Sequence, residues 1–126
     1  MKKNIKQFLP LHLRRGNDAE AVAEKYLVRQ GLSFLKRNYN CKAGEIDLIM
    51  QDSDVLVFVE VRYRSNPSFG SAADSITATK IQRLRKTAEH YLQIHHQYAH
   101  LYNRFDVIAI TVRPEKKETL WIKDAF

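Results

Sequence analysis

Two adjacent apolar segments within residues 44–64 form the strongest pattern in the chain and predict two strands joined by a tight turn. In residues 45–50 every second side chain is apolar, and two of the residues between them are acidic. An acidic turn follows at 51–54, and residues 55–59 are then apolar without a break. Such a continuous run is typical of a central strand that is covered on both faces. We therefore expect a hairpin whose second strand is buried.

A basic arm and an amphipathic helix are predicted before this hairpin. Residues 1–16 mix lysine and arginine with apolar residues, which indicates a basic N-terminal arm or a short amphipathic helix that packs on the body of the protein or contacts phosphates. Asn17 or Asp18 can cap a helix that continues through Gln30, and Gly31 is a typical helix end. The expected buried face of this helix comprises Ala19, Val22, Ala23, Tyr26 and Leu27.

The remaining pattern predicts three more strands and a second helix. Residues 32–41 indicate a strand before the hairpin, and 104–113 and 119–122 indicate two strands near the end of the chain. The helix predicted at 78–98 joins two hydrophobic strands, so these strands should be parallel. The sequence therefore predicts a single α/β domain over residues 17–126, with the order α-β-β-β-α-β plus an edge strand and helices flanking a mixed central sheet.

The composition fits a soluble globular domain with a basic surface. Hydrophobic residues make up 44% of the 126 residues and charged residues 28%, which argues against disorder. The formal net charge of +7 favours a polyanionic partner, either nucleic acid or an anionic membrane surface. Basic proteins that bind neither nucleic acid nor membranes have similar net charges, so the net charge alone does not identify the partner.

The sequence also favours the cytoplasm as the location of the protein. Cys41 is the single cysteine, which excludes an intramolecular disulfide and a cysteine-based zinc site and agrees with a reducing compartment. The N-terminal residues lack the continuous apolar segment of a secretory signal. No run approaches the roughly 20 apolar residues that span a bilayer. We expect a cytoplasmic protein without a membrane partner.

Charged residues in the predicted hairpin are the candidates for chemistry. Glu60 and Arg62 end the buried strand on one face, and pairing of the two strands can bring Asp47 beside them. Burying a carboxylate without a partner costs roughly 2–7 kcal/mol or more, so a cation is required. Arg62, a divalent metal ion or both can supply it. Glu45 shares a face with Asp47 and is an alternative ligand.

An acidic residue followed by a hairpin and an apolar strand ending in Glu-x-Lys resembles the PD-(D/E)xK signature of restriction-endonuclease-like nucleases. Asp47 and Glu60 match its two acids, and Arg62 stands where the signature has lysine. The chain more closely resembles the YraN family, bacterial proteins of unestablished function that are similar to archaeal Holliday-junction resolvases. The matching segments are Ala19-Glu20, Tyr26-Leu27, Arg37-Asn38-Tyr39, GEIDLI at 44–49, FVEV at 58–61, Arg64, Phe69-Gly70, Thr79-Lys80 and Arg104-Phe105-Asp106-Val107.

The resemblance implies a restriction-endonuclease-like core and a nuclease that hydrolyses DNA, including branched or junction DNA. It implies a Mg²⁺ or Mn²⁺ ion held by Asp47, Glu60, the helix carboxylate of Glu20 and the backbone carbonyl of Val61. Oxygen donors of this kind suit Mg²⁺. Resolvase-like proteins act as dimers, so the resemblance also implies a homodimer, although no interface is identifiable in the sequence.

Arg62 leaves two alternatives to an active nuclease. Arginine supplies charge and hydrogen bonds but no proton transfer, so the protein can also be a catalytically impaired nucleic-acid-binding module on a nuclease fold. The second alternative is a structural ion-pair network in which Glu60 pairs with Arg62 or Arg64. An interaction protein with an acidic partner is a third class of function that agrees with the net charge.

Four basic residues near the predicted site are candidates for contacts with phosphates. They are Lys36, Arg64, Lys80 and Arg83. Lys80 and Arg83 lie in the first turns of the second predicted helix, directly after the Ser- and Gly-containing segment 65–77 that leaves the site. The predicted partner is therefore nucleic acid, with DNA favoured.

Overall fold

A computed structural model describes residues 11–64, 76–113 and 115–126. These residues form helices and strands in the predicted order. The elements are α1 Leu11–Arg29, β1 Ser33–Cys41, β2 Gly44–Asp52, β3 Val55–Arg64, α2 Ala78–Ile94, a 3₁₀ helix His96–Tyr98, β4 Tyr102–Arg113 and β5 Lys116–Ile122. In the part of the chain that the structure describes, no helix is long and apolar enough to cross a membrane.

The strands form one mixed sheet in the order β1-β2-β3-β4-β5. β3 and β4 are parallel, and the other neighbouring pairs are antiparallel. Because α2 lies between β3 and β4 in the sequence, it provides the crossover that a parallel pair requires. The mixed α/β architecture and the parallel crossover are thus confirmed.

Each face of the sheet carries one helix and one hydrophobic core. α1 buries Ala23 and Leu27 against Val59 and its neighbours on the first face. α2 buries Leu84 and Tyr91 against the other face, where the largest buried side chains include Phe58. β3 is therefore covered on both sides, as its continuous apolar run predicts.

The first helix starts earlier than the capping pattern indicates. α1 begins at Leu11, so Asn17 and Asp18 lie inside the helix and their predicted capping role is wrong. Residues 11–16 of the predicted arm belong to this helix, whereas residues 1–10 lie outside the described part of the chain. The predicted end is confirmed, since Gly31 has a φ of +101° and the Leu32 N–H returns to the Leu27 carbonyl at 3.0 Å.

The second helix ends earlier than its apolar periodicity indicates. Thr77 caps its start by accepting the Lys80 N–H at 3.1 Å. α2 then ends at Ile94, and a short 3₁₀ helix follows, so the prediction of one helix through Tyr98 is wrong. Tyr98 still packs against the same core, which explains why the apolar pattern persists beyond the end of the helix.

Gly44 allows the start of β2 to approach α2 closely. A Cβ at this position would lie 3.3 Å from Thr87 Oγ1 and 3.6 Å from Arg83 Cβ, and the Gly44 φ is +155°. We expect Gly44→Ala to lower the free energy of unfolding by about 1–3 kcal/mol, through the contact and the backbone strain together. Urea unfolding measures this change.

Gly31 is the matched control for this substitution. Its φ is also positive, but a Cβ there would meet nothing within 4 Å. Gly31→Ala should therefore cost only the backbone term, about 1 kcal/mol. An equal loss of stability in the two variants would contradict the importance of the contact with α2.

Candidate metal and nucleic-acid site

The site lies where β2 and β3 stop pairing. Their ladder ends at the pair Leu48↔Val59. Beyond this pair the Val61 N–H donates to Asp47 Oδ2 at 2.8 Å. A carboxylate thus takes the place of a backbone acceptor at the point where the strands separate, which holds the Asp47 side chain between them.

Asp47 and Glu60 meet at this point, as the alternation along the two strands predicts. Burial, a hydrogen bond with the Glu60 carboxyl group and the negative charge of Glu60 together raise the pKa of Asp47 well above the ordinary range, against a lowering contribution from the Val61 N–H. Two carboxyl groups can hydrogen-bond only with a proton between them. The raised pKa favours the protonated form of Asp47 beside the buried Glu60 carboxyl group.

Glu20 reaches the same site from α1, on the other side of the sheet. Burial and the neighbouring charge of Glu45 raise the pKa of Glu20, while Arg37 and a hydrogen bond with Asn38 oppose the shift. The charge of Glu60 adds a smaller upward contribution, which indicates that the two carboxylates interact. Glu20, Asp47 and Glu60 are called the carboxylate site below. Glu45, the alternative ligand, is exposed at its edge.

Lys80 provides a cation at the carboxylate site. Its Nζ lies 3.3 Å from Glu60 Oε2, and its side chain is 42% exposed whereas that of Glu60 is 6% exposed. The charges are in contact, but the geometry is not that of a hydrogen bond. Glu60 thus forms its ion pair with Lys80 rather than with Arg62. The structural alternative expected Arg62 or Arg64, and the side chain of Arg64 lies outside the described part of the chain. Arg62 Nε is buried and has no hydrogen-bond partner among the described residues.

The donor set at the carboxylate site fits a hard divalent cation. In the described residues, Glu20 Oε1 and Glu60 Oε2 are buried oxygens without a hydrogen-bond partner. Within the same ranges no three His, Cys, Asp or Glu side chains already converge as a metal cluster. A cation bound between Asp47 and Glu60 would relieve their repulsion and satisfy the free oxygens.

The four predicted phosphate-contacting residues are not all at the carboxylate site. Lys80 lies in it, and Arg83 is exposed one turn further along α2. Lys36 lines a groove of about 450 Å³ with Tyr91, His95 and Tyr98, at the opposite end of α2. The side chain of Arg64 lies outside the described part of the chain. The predicted role of the Val61 carbonyl stays a prediction, whereas its N–H is shown to hold Asp47.

Two contributions to the site are missed by the sequence pattern. Lys80 is predicted as a phosphate contact but not as the ion-pair partner of Glu60, and Asn38 is not predicted to contact Glu20. Thr77 and Lys80, three residues apart, do indicate that Lys80 lies in the first helical turn. Asn38 has a φ of 55°, an irregularity in β1 that the sequence pattern does not predict.

Comparison with other proteins finds relatives over most of the chain. The model of "Uncharacterised protein family UPF0102" matches residues 19–110. A protein of Saccharophagus degradans is 50% identical over 115 residues, which cover 91% of this chain and 94% of the relative. A protein of Methylobacillus flagellatus is 51% identical over 111 residues, covering 88% and 95%. One from Stutzerimonas stutzeri is 46% identical, covering 88% and 92%. All three are named UPF0102 proteins, and these names give no activity.

Proposed function

The chain belongs to the uncharacterised protein family UPF0102, the YraN family that its sequence resembles, and we propose that it is a metal-dependent nuclease that hydrolyses phosphodiester bonds in DNA. The observation that carries this proposal is the meeting of Asp47, held by the Val61 N–H, with the buried Glu60, beside an interacting third carboxylate, Glu20. Glu60 does form an ion pair with Lys80, but the site also holds Asp47 against Glu60. Two acids held against each other cost stability, which is typical of functional sites.

The charge distribution supports a polyanionic substrate. The protein has a formal net charge of +7, yet the carboxylate site brings together three acids, of which Glu60 is buried. An acidic site on a basic protein repels a phosphate unless a metal ion lies between them. Mg²⁺ or Mn²⁺ would therefore fit between the carboxylate site and DNA.

Hydrolysis requires one bond to phosphorus to form and one to break. The oxygen of water forms a bond to phosphorus, the ester P–O bond breaks, the water proton passes to solvent and the leaving oxygen takes up a proton. A bound divalent ion would supply charge neutralisation and a more acidic water. Asp47 and Glu60 would hold it, with Glu20 and the Val61 carbonyl as further oxygen donors. Arg62 contributes positive charge without proton transfer.

We also propose the restriction-endonuclease-like arrangement for the fold. The order α-β-β-β-α-β and the position of the acids at the ends of β2 and β3 agree with it. In that arrangement branched or junction DNA is the substrate suggested by the resolvases, and a homodimer would match its two-fold symmetry.

A cleavage assay on duplex, flap and four-way DNA, with and without Mn²⁺, tests the proposed activity. We expect wild type to cut at least one of these substrates only with the metal. Glu60→Ala, purified in parallel, should cut at least about 10³-fold more slowly, because it lacks a metal ligand. Asp54→Ala is the matched control, since Asp54 is an exposed carboxylate in the hairpin turn and should cut at the wild-type rate.

The alternative function predicts a different pattern in the same assay. A catalytically impaired binding module would bind DNA with an affinity that falls steeply as salt increases, and it would not cut even as Arg62→Lys. Cleavage that is equal in wild type and Glu60→Ala would indicate a contaminating nuclease and would contradict the proposed activity.

A further inference from the structure

Lys80 is the only one of the four predicted phosphate-contacting residues whose described side chain touches the carboxylate site. It lies in the first turn of α2, where the Thr77 hydroxyl fixes the helix start by accepting the Lys80 N–H at 3.1 Å. From there its Nζ reaches to 3.3 Å from Glu60 Oε2. The backbone position of Lys80 is thus set by the helix cap, independently of the ion pair.

The burial of the two partners places Lys80 at the mouth of the site. Glu60 is almost completely buried, whereas Lys80 is 42% exposed, so Lys80 is the more accessible partner of the ion pair. We therefore expect a phosphate that approaches the carboxylate site to contact Lys80 before Glu60. Arg62, by contrast, extends from β3 itself, and its buried Nε has no partner among the described residues.

We propose that Lys80 is the catalytic ammonium group of this site, supplied by α2 where the resembling nucleases supply a lysine from the strand position of Arg62. Lys80 contacts a non-bridging oxygen of the scissile phosphate and stabilises the negative charge that develops there. Before a metal ion binds, the same ammonium group neutralises Glu60, so Lys80 and the ion compete for this carboxylate. The inference rests on the proposed nuclease function, which its test examines separately.

Binding of Mn²⁺ without DNA tests the competition for Glu60. Lys80→Met removes a positive charge 3.3 Å from a ligand oxygen, so we expect Mn²⁺ to bind roughly tenfold more tightly, measured by electron paramagnetic resonance. Lys86→Met removes a charge from an exposed position of the same helix and should change the affinity less than about twofold. Unchanged Mn²⁺ affinity in Lys80→Met would overturn the proposed competition.

Single-turnover cleavage at saturating DNA tests the catalytic role. Lys80→Met should cut about 10²-fold more slowly although it holds Mn²⁺ more tightly, and DNA affinity should fall no more than about threefold. Adding Arg62→Lys to Lys80→Met should restore much of the rate, since an ammonium group returns to the site from the strand. A purely structural lysine would not be replaced in this way, so a normal rate in Lys80→Met, or no recovery in the double variant, would overturn the proposal.

The Mn²⁺-binding and cleavage measurements together separate this inference from the proposed function. If wild type cuts no DNA, the nuclease proposal fails and the catalytic role of Lys80 fails with it. The Mn²⁺ measurement then still decides whether Lys80 and a metal ion compete for Glu60. If wild type cuts DNA and Lys80→Met cuts equally well, only the role of Lys80 fails.

Discussion

Asp106→Ala should lower the free energy of unfolding by about 3–5 kcal/mol, because it removes the common acceptor of a buried polar network. Asp106 is fully buried on β4. Its carboxylate accepts the Arg104 Nε–H at 3.0 and 3.1 Å, the Trp121 Nε1–H at 2.9 Å and the Asp124 N–H at 2.9 Å. Alanine would leave all three donors, one of them cationic, without this acceptor. A loss of this size is a large part of the 5–15 kcal/mol that stabilises a typical domain.

The network around Asp106 joins β4 to three other parts of the chain. Arg104 also donates from its guanidinium to Asp52 Oδ2 at 3.1 Å, at the end of β2. Trp121 belongs to β5, and Asp124 to the turn after it. Removing Asp106 should therefore loosen the edge strand and the C-terminal turn together, beyond its effect on β4.

Asp52→Ala is the matched control for this prediction. Asp52 contacts the same arginine, but its side chain is 35% exposed, and water can replace it. We expect it to cost less than about 1 kcal/mol. Urea unfolding with equal m-values measures both changes. If Asp106→Ala costs no more than Asp52→Ala, the network does not stabilise the fold as described.

The strands of the core are predictable because burial on both faces leaves a continuous apolar run, which β3 shows from Leu56 to Val59. The helix ends are less predictable, since they depend on contacts beyond the local sequence. Asn17 is a good capping residue, yet α1 continues past it to Leu11. Tyr98 continues the apolar period of α2, yet the backbone leaves the helix at His95, with φ −110° and ψ 73°.

The meeting of Asp47 and Glu60 is predictable for a geometric reason. The tight turn fixes the pair Asp52↔Val55, and the register continues to Leu48↔Val59, the pair that adjoins both acids. The ladder stops there and Asp47 Oδ2 accepts the Val61 N–H, a detail that counting residues along the strands does not predict. The position of Lys80 does not follow from any such count. It depends on how α2 packs on the sheet, after a connection that includes residues 65–75, which lie outside the described part of the chain. Sequence reasoning therefore finds the acids of the site but not the cation that contacts them.

Asp47→Asn should abolish metal-dependent cleavage, with a loss of at least about 10³-fold, while leaving the metal-free protein at least as stable as wild type. Asparagine copies the protonated form of Asp47. Its oxygen can accept the Val61 N–H, as the Asp47 carboxyl group does, and its amide can donate to Glu60 as a protonated carboxyl group would. It cannot, however, become the anionic ligand that a divalent ion requires.

The raised pKa of Asp47 gives this prediction a pH dependence of known sign. In the unfolded chain Asp47 loses its proton near pH 4, whereas burial and the Glu60 carboxyl group keep the proton on the folded protein to higher pH. Over that interval the folded state binds more protons than the unfolded state, so stability falls as pH rises. Asp47→Asn removes this contribution. Its stability relative to wild type should therefore rise between about pH 5 and pH 8, by roughly 1–3 kcal/mol.

Urea unfolding of both proteins at about pH 5 and pH 8, with a chelator and then with Mn²⁺, measures the pH dependence of stability and the stabilisation by the metal ion. For wild type at pH 8, Mn²⁺ at 100 times its dissociation constant should add about 2.7 kcal/mol, because the ion binds only the folded state. The gain should be smaller at pH 5, where protons compete for Asp47 and Glu60, and absent in Asp47→Asn. A metal gain that survives in Asp47→Asn would mean that the ion binds elsewhere. Equal pH dependence in the two proteins would mean that Asp47 is ionised in the folded state. The claim that the protonated form of Asp47 stabilises the fold, whereas its ionised form binds the metal ion, would then be wrong.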